Sequence, residues 1–155
     1  MSVENRLNEL GIKLPQAAAP VASYVPVVVE GGFAYVSGQL PFVDGNLVTG
    51  RLGESVDLDR GMEAARACGL MILAQLKGAG VLEDVSRVVK LGAFVNSTGD
   101  FTDQPKVANG ASDLMLEVFG DAGRHARAAV SAPSLPLGAA VEVDAVIALG
   151  SRSHS

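Results

Sequence analysis

Residues 2–10 place Val3, Leu7 and Leu10 at helical spacing among polar side chains, and Gly11 follows where a left-handed cap would end a short helix. KLPQAAAPVAS cannot continue that helix, and Pro15 and Pro20 predict an extended connector. Beyond it the period becomes that of strands. YVPVVVE and FAYVSG, two β-rich runs around Gly31-Gly32, predict a hairpin, because glycine accepts the positive φ of tight hairpin turns. QLPFVDGNLVTG is turn-rich and predicts a loop across the sheet edge, with a short strand at Leu47-Val48. Helical spacing returns after Asp57, a suitable N-cap, and predicts a long helix ended by Gly78 or Gly80, with Leu58, Met62, Ala65, Gly69, Ile72 and Leu76 facing inward. Between Ala67 and Ala74 that helix is apolar nearly all round, which predicts cover on more than one face and suggests a neighbouring subunit.

VSRVVKLGAFVNS reads as a strand, and DQPKVANGASDLMLEVFG as a second helix with Pro105 in its first turn and Gly120 at its end. ARAAVSA and AAVEVDAVIAL are closing strands that could pair around PSLPLG. The order ββαβαββ, without a glycine-rich phosphate loop, predicts an α+β single domain with two helices packed on one sheet face. We divide the chain into an N-terminal helix and Pro-rich connector (1–23), the domain proper (24–150) and a disordered tail (151–155).

Composition narrows the function classes. Hydrophobic residues make up 48% of the chain but aromatics only 5%, so the apolar mass is Val, Ala and Leu. A domain of this size has limited interior volume, and part of that mass is expected between subunits of a homo-oligomer. No apolar run approaches the roughly 18–20 residues of a membrane span, and the N-terminus has no signal-peptide core, so a cytoplasmic protein is expected. A single cysteine, Cys68, excludes an intrachain disulfide and reads as packing. Two histidines give no metal-ligand cluster, and neither a metal nor another cofactor is expected. With 17 acidic against 12 basic residues and no Trp, the chain lacks the basic face and stacking platforms of RNA binders.

Against that net charge of −5, GRHARAAVSAP groups Arg124, His125 and Arg127 ahead of a strand-like run. Arg124 and His125 read as solvated turn residues. Arg127 is either a surface arginine at a strand end or a carboxylate clamp, since a guanidinium offers two parallel N–H bonds and stays charged. Glu142, with Asp144 two residues on and therefore on the same strand face, is either an edge charge facing water or a general base in a pocket. Gly38 in Ser37-Gly38-Gln39 either ends a strand or lets backbone approach a ligand; Tyr24 either packs in the core or lends a hydroxyl. On adjacent strands, Arg127 and Glu142 could share one cleft.

Taken together, YVPVVV…FAYVSGQLP, VNSTGDF, VANGASDLMLEVFG, GRHARAAV and SLPLGAAVEVDAVIAL resemble the YjgF/Rid family, the reactive-intermediate deaminases also known as endoribonuclease L-PSP-like proteins. The resemblance runs from Tyr24 to Leu149. It implies a chorismate-mutase-like fold, a homotrimer, and ligand clefts between subunits. It also implies that Arg127 clamps a substrate carboxylate and that Glu142 activates the attacking water. Tyr24, Gly38 and Asn109 match cleft-lining positions. Where better-known members carry Ser-Cys after the arginine, this chain has Ala128-Ala129, so main chain at Ala129 would supply that contact. The implied activity is hydrolysis of 2-imino or enamine acids to 2-keto acids and ammonia. A non-catalytic trimer binding small carboxylates is the alternative, and RNA cleavage ranks last.

Overall fold

The computed structural model describes residues 2–19 and 23–150; Pro20 and the tail 151–155 lie outside the described residues. Helix α1 (Val3–Glu9) is followed by strands β1 (Val27–Glu30) and β2 (Phe33–Gln39), a ribbon of β3 (Phe42–Val43) and β4 (Asn46–Leu47), and helix α2 (Leu58–Gly78). Strand β5 (Val85–Asn96), helix α3 (Gln104–Phe119), and strands β6 (Ala126–Ala132) and β7 (Val141–Leu149) complete the chain. Five strands form one sheet in the order β1-β2-β7-β5-β6, and β3-β4 stands apart. Both long helices pack on one face of the sheet and on each other, giving the α+β domain that the pattern predicts.

Local chemistry explains most boundaries. Gly31 and Gly32 take φ of 60° and 84° at the first hairpin. Asp44 and Gly45, at 50° and 80°, turn the β3-β4 ribbon the same way, so the expected loop contains a second small hairpin. The Asp57 carboxylate accepts from Arg60 N at 2.8 Å and caps α2. At α1, Ser2 Oγ accepts from Asn5 N, and the Glu83 carboxylate accepts from Val3 N and Glu4 N at 2.8 and 3.0 Å. That contact ties the N-terminal helix to the turn before β5, and its Leu7 joins the common core.

From Ala67 to Leu76 every α2 residue except Leu70 is buried. The cover comes from the chain itself rather than from the neighbouring subunit that the all-round apolar pattern suggested: the sheet, α3, the β3 ribbon and the N-terminal connector all contribute. Gln75 Nε2, for example, donates to Ala18 O at 2.7 Å.

The closing strands also depart from expectation. β6 and β7 do not pair, because β5 lies between them, parallel to β6 and antiparallel to β7. Their connector crosses the end of β5, where Asn96 N donates to Ala140 O (2.9 Å) and Asn96 Nδ2 to Ala139 O (3.1 Å). A link with two prolines that must span a whole strand cannot act as a tight hairpin turn.

Val88, Leu91, Ala93 and Val95 of β5 and Val141, Val143, Ala145 and Ile147 of β7 face the helices and are buried. The other sheet face is open and carries Val28, Tyr35, Phe94 and Val130, all exposed. Among the described residues no helix is long and apolar enough to cross a membrane.

The α2–α3 contact depends on Gly110, where a Cβ would stand 2.9 Å from the Met62 carbonyl carbon and collide with its oxygen. Gly110→Ala should therefore cost about 2 kcal/mol or more, the scale of core overpacking, whereas Gly99→Ala, with open space around it, should be near neutral. Denaturant melts of both variants check this, and equal midpoints would contradict it.

Candidate functional site

Arg127 stands on β6, an edge strand, and turns toward α3. Its Nη1 donates to Asn109 Oδ1 at 2.8 Å and to Ser112 Oγ at 3.0 Å, which uses both Nη1 protons. Among the described residues no carboxylate pairs with this half-buried guanidinium, and Nε and Nη2 have no partner. A planar Nε–Nη2 edge with parallel N–H bonds suits a carboxylate. Asn109 thus holds the arginine. Ala129, two residues on, shares Arg127's side of β6 and is half-buried.

His125 is not a solvated turn residue. It is half-buried, with Nδ1 2.6 Å from Gly123 O and Nε2 2.8 Å from Ser112 Oγ. Ser112 itself is 7% exposed and carries no motif that singles it out; its position three residues after Asn109, hence on the same helix face, was the available signal. Arg124 is solvated as expected, paired with the exposed Asp121 at 3.3 Å.

The second group of predicted residues assembles elsewhere. Glu142 on β7 folds its carboxylate into the space where a Gly38 side chain would stand, so glycine is required there for close approach. Gly38 and Tyr24 line a small cavity of about 110 Å³ together with Gln39, Gln75 and Leu137. Tyr24 is 49% exposed at its mouth, a rim position rather than a core one. Asp144 similarly occupies the space beside Gly92. Cys68 is fully buried, and Sγ donates to Val141 O at 3.6 Å, as packing requires.

Register separates these two groups. Gly92 pairs with Ala128 on one side and Asp144 on the other, so Ala128, Asp144 and Glu142 share the open face. Arg127, next to Ala128, points to the opposite face. Within one chain Arg127 and Glu142 cannot meet in one cleft, because the sheet stands between them. Among the described residues no group of three or more metal-ligating side chains occurs.

Burial pushes the Glu142 carboxyl above the ordinary 4.5, and the Asp144 carboxylate beside it adds to the rise. Burial also raises Asp144, opposed by a hydrogen bond from the Gly92 backbone and by Lys90. A carboxyl whose folded pKa exceeds its unfolded value stabilises the fold while protonated; the contribution is complete below the unfolded value and lost as pH rises through the folded one. Glu142→Gln should thus raise the melting temperature at neutral pH and flatten the decline in stability above pH 4.5. Thermal melts across that range check this, and a variant less stable than wild type at neutral pH would contradict it.

Over residues 4–148 the chain matches the family model described as "YjgF/chorismate mutase-like, putative endoribonuclease". It is 55% identical over 150 residues to Protein TCP17 of Trypanosoma cruzi, covering 95% of this chain and 94% of that protein. The crystal structure of Atu1372 from Agrobacterium tumefaciens, a protein of unknown function, superposes with a TM-score of 0.87 at 47% identity, covering 95% of this chain and 92% of that one. A Shewanella oneidensis MR-1 protein whose name carries the same endoribonuclease label superposes at 0.92 with 36% identity, covering 96% and 100%. With the mixed sheet and helix layer described above, these matches place the fold and the lineage together: the chain belongs to the YjgF/chorismate mutase-like family.

Proposed function

We propose that this protein is a homotrimeric hydrolase that deaminates 2-imino or enamine acids, with each cleft built from Arg127 of one subunit and Glu142 of the next. The observation that carries the reading is the free Nε–Nη2 edge of Arg127, held by neutral partners and unmatched by any carboxylate among the described residues. A half-buried cation is stabilised when a ligand anion completes it. The subunit arrangement is supported by the opposite facing of Arg127 and Glu142 and by the exposed apolar face of Tyr35, Phe94, Val28 and Val130, a liability on a monomer.

In this mechanism Arg127 grips the carboxylate and so fixes the C=N carbon. Glu142, its pKa raised toward the working range of a general base, takes a proton from water as the hydroxyl oxygen bonds to that carbon. Glu142 passes that proton to the imine nitrogen, giving the aminol. It then takes the aminol hydroxyl proton as the C=O forms and delivers it to the amino group, so the C–N bond breaks and ammonia and the 2-keto acid leave. No redox partner is needed. The net charge of −5 favours this small-molecule reading over RNA cleavage.

A threonine dehydratase supplies 2-iminobutyrate in situ, and keto-acid release is followed. Arg127→Ala and Glu142→Gln should each lose roughly 100-fold in kcat/KM, the scale of a lost charged contact or general base. Variants that perform as wild type would overturn the assignment. Wild-type protein that binds 2-oxobutyrate without turnover would favour a binding module instead.

A further inference from the structure

We propose that Ser112 and His125 form a positioning pair for Arg127, fixing which edge of its guanidinium meets the ligand; the inference rests on the clamp reading above. Neither side chain belongs to the residues that the sequence pattern marks for chemistry, and neither touches the Glu142 half of the site.

With His125 neutral, the chain of contacts has one consistent proton assignment. The Gly123 carbonyl can only accept, so His125 Nδ1, 2.6 Å away, carries the proton of the neutral ring. Nε2 is then an acceptor, and the Ser112 hydroxyl 2.8 Å away donates to it. With its proton committed, Ser112 Oγ presents lone pairs toward Arg127, whose Nη1 donates to it at 3.0 Å. Asn109 Oδ1 takes the other Nη1 proton. The guanidinium is therefore anchored through Nη1 alone, and among the described residues its Nε–Nη2 edge is left without a partner. Were the hydroxyl free to rotate, its proton could point at the cation and release the grip.

The fold builds this relay deliberately close. A Cβ on Gly123 would stand 2.6 Å from the Met115 carbonyl carbon and 3.0 Å from Leu116 N, so glycine lets the turn press on α3. That approach brings the Gly123 carbonyl to His125 and aims the ring at Ser112. The three side chains, with Leu116 and the exposed Arg124, line an open surface pocket of about 240 Å³. Arginine carries large rotamer freedom, and fixing it beforehand lowers the entropy cost of gripping a carboxylate.

Calorimetry with 2-oxobutyrate as the probe, and the coupled assay alongside, test the inference. Ser112→Ala and His125→Phe should each weaken binding roughly tenfold, the effect of one hydrogen bond to a charged group. The double variant should lose no more than either single one, because the pair acts as a unit. His125→Gln, which can keep an acceptor near the Nε2 position, should restore binding to within about twofold of wild type. KM should rise with little change in kcat, and affinity for the neutral 2-oxobutanamide should not move. Nitrogen NMR of the wild-type protein at alkaline pH should show His125 protonated at Nδ1, an observation independent of whether any variant folds. Additive losses, wild-type affinity in Ser112→Ala and His125→Phe, or protonation at Nε2 would overturn the inference. If Arg127→Ala loses binding while these two variants keep it, this inference alone fails. If Arg127→Ala binds as wild type, the clamp reading fails and takes this inference with it.

Discussion

A strand that returns parallel to its predecessor needs a crossover, and α3 supplies it between β5 and β6. That one pairing fixes the geometry of the site. It makes β6 a sheet edge, pushes β7 to the far side of β5, and puts Ala128 and Asp144 on one face through their shared partner Gly92. Arg127 then faces the helices and Glu142 faces away. Because the strand period is two, a slip of β6 by one residue would exchange the faces and bury Ala128 where Arg127 now stands.

The two faces solve different electrostatic problems. On the helix side, Arg127 is half-buried among Asn109 and Ser112, neutral acceptors that orient the guanidinium without neutralising it. On the open side, Glu142 and Asp144 lie two residues apart beside glycines, with burial raising both carboxyls. In the proposed function, the first half supplies the cation that grips an anion and the second the carboxylate that takes a proton from water. The apolar surface around Tyr35 and Phe94 gives the open face a reason to be covered, and in the proposed trimer the two halves of a cleft come from different subunits.

Elements with local signals were legible in the sequence. Gly31-Gly32, Asp57 and Gly120 marked turns and ends by their own conformational chemistry, and the structure places a hairpin, a helix cap and a helix end at them. What required long-range pairing was not legible. PSLPLG separates two strands by a length that fits both a loose hairpin and a crossover, and only the parallel β5-β6 ladder decides between them. Likewise the apolar all-round stretch of α2 said that it is covered, not by what; the connector through Ala18 and the β3 ribbon do part of that work. In the candidate site, motif and charge in an apolar setting single out Arg127, Gly38 and Glu142. Ser112 carries no such signal, since a serine on a helix has no pattern of its own, and the adjacency of His125 to Arg124 hides that one is half-buried and the other exposed.

In the proposed trimer a working cleft takes Arg127 from one subunit and Glu142 from another. Mixing Arg127→Ala and Glu142→Gln protein in equal amounts, with unfolding and refolding together, tests it directly by imine hydrolysis. If the site is shared, random reassortment restores about a quarter of wild-type activity, since each cleft needs one intact arginine and one intact glutamate from different chains. Activity no greater than the two inactive parents measured separately would contradict it.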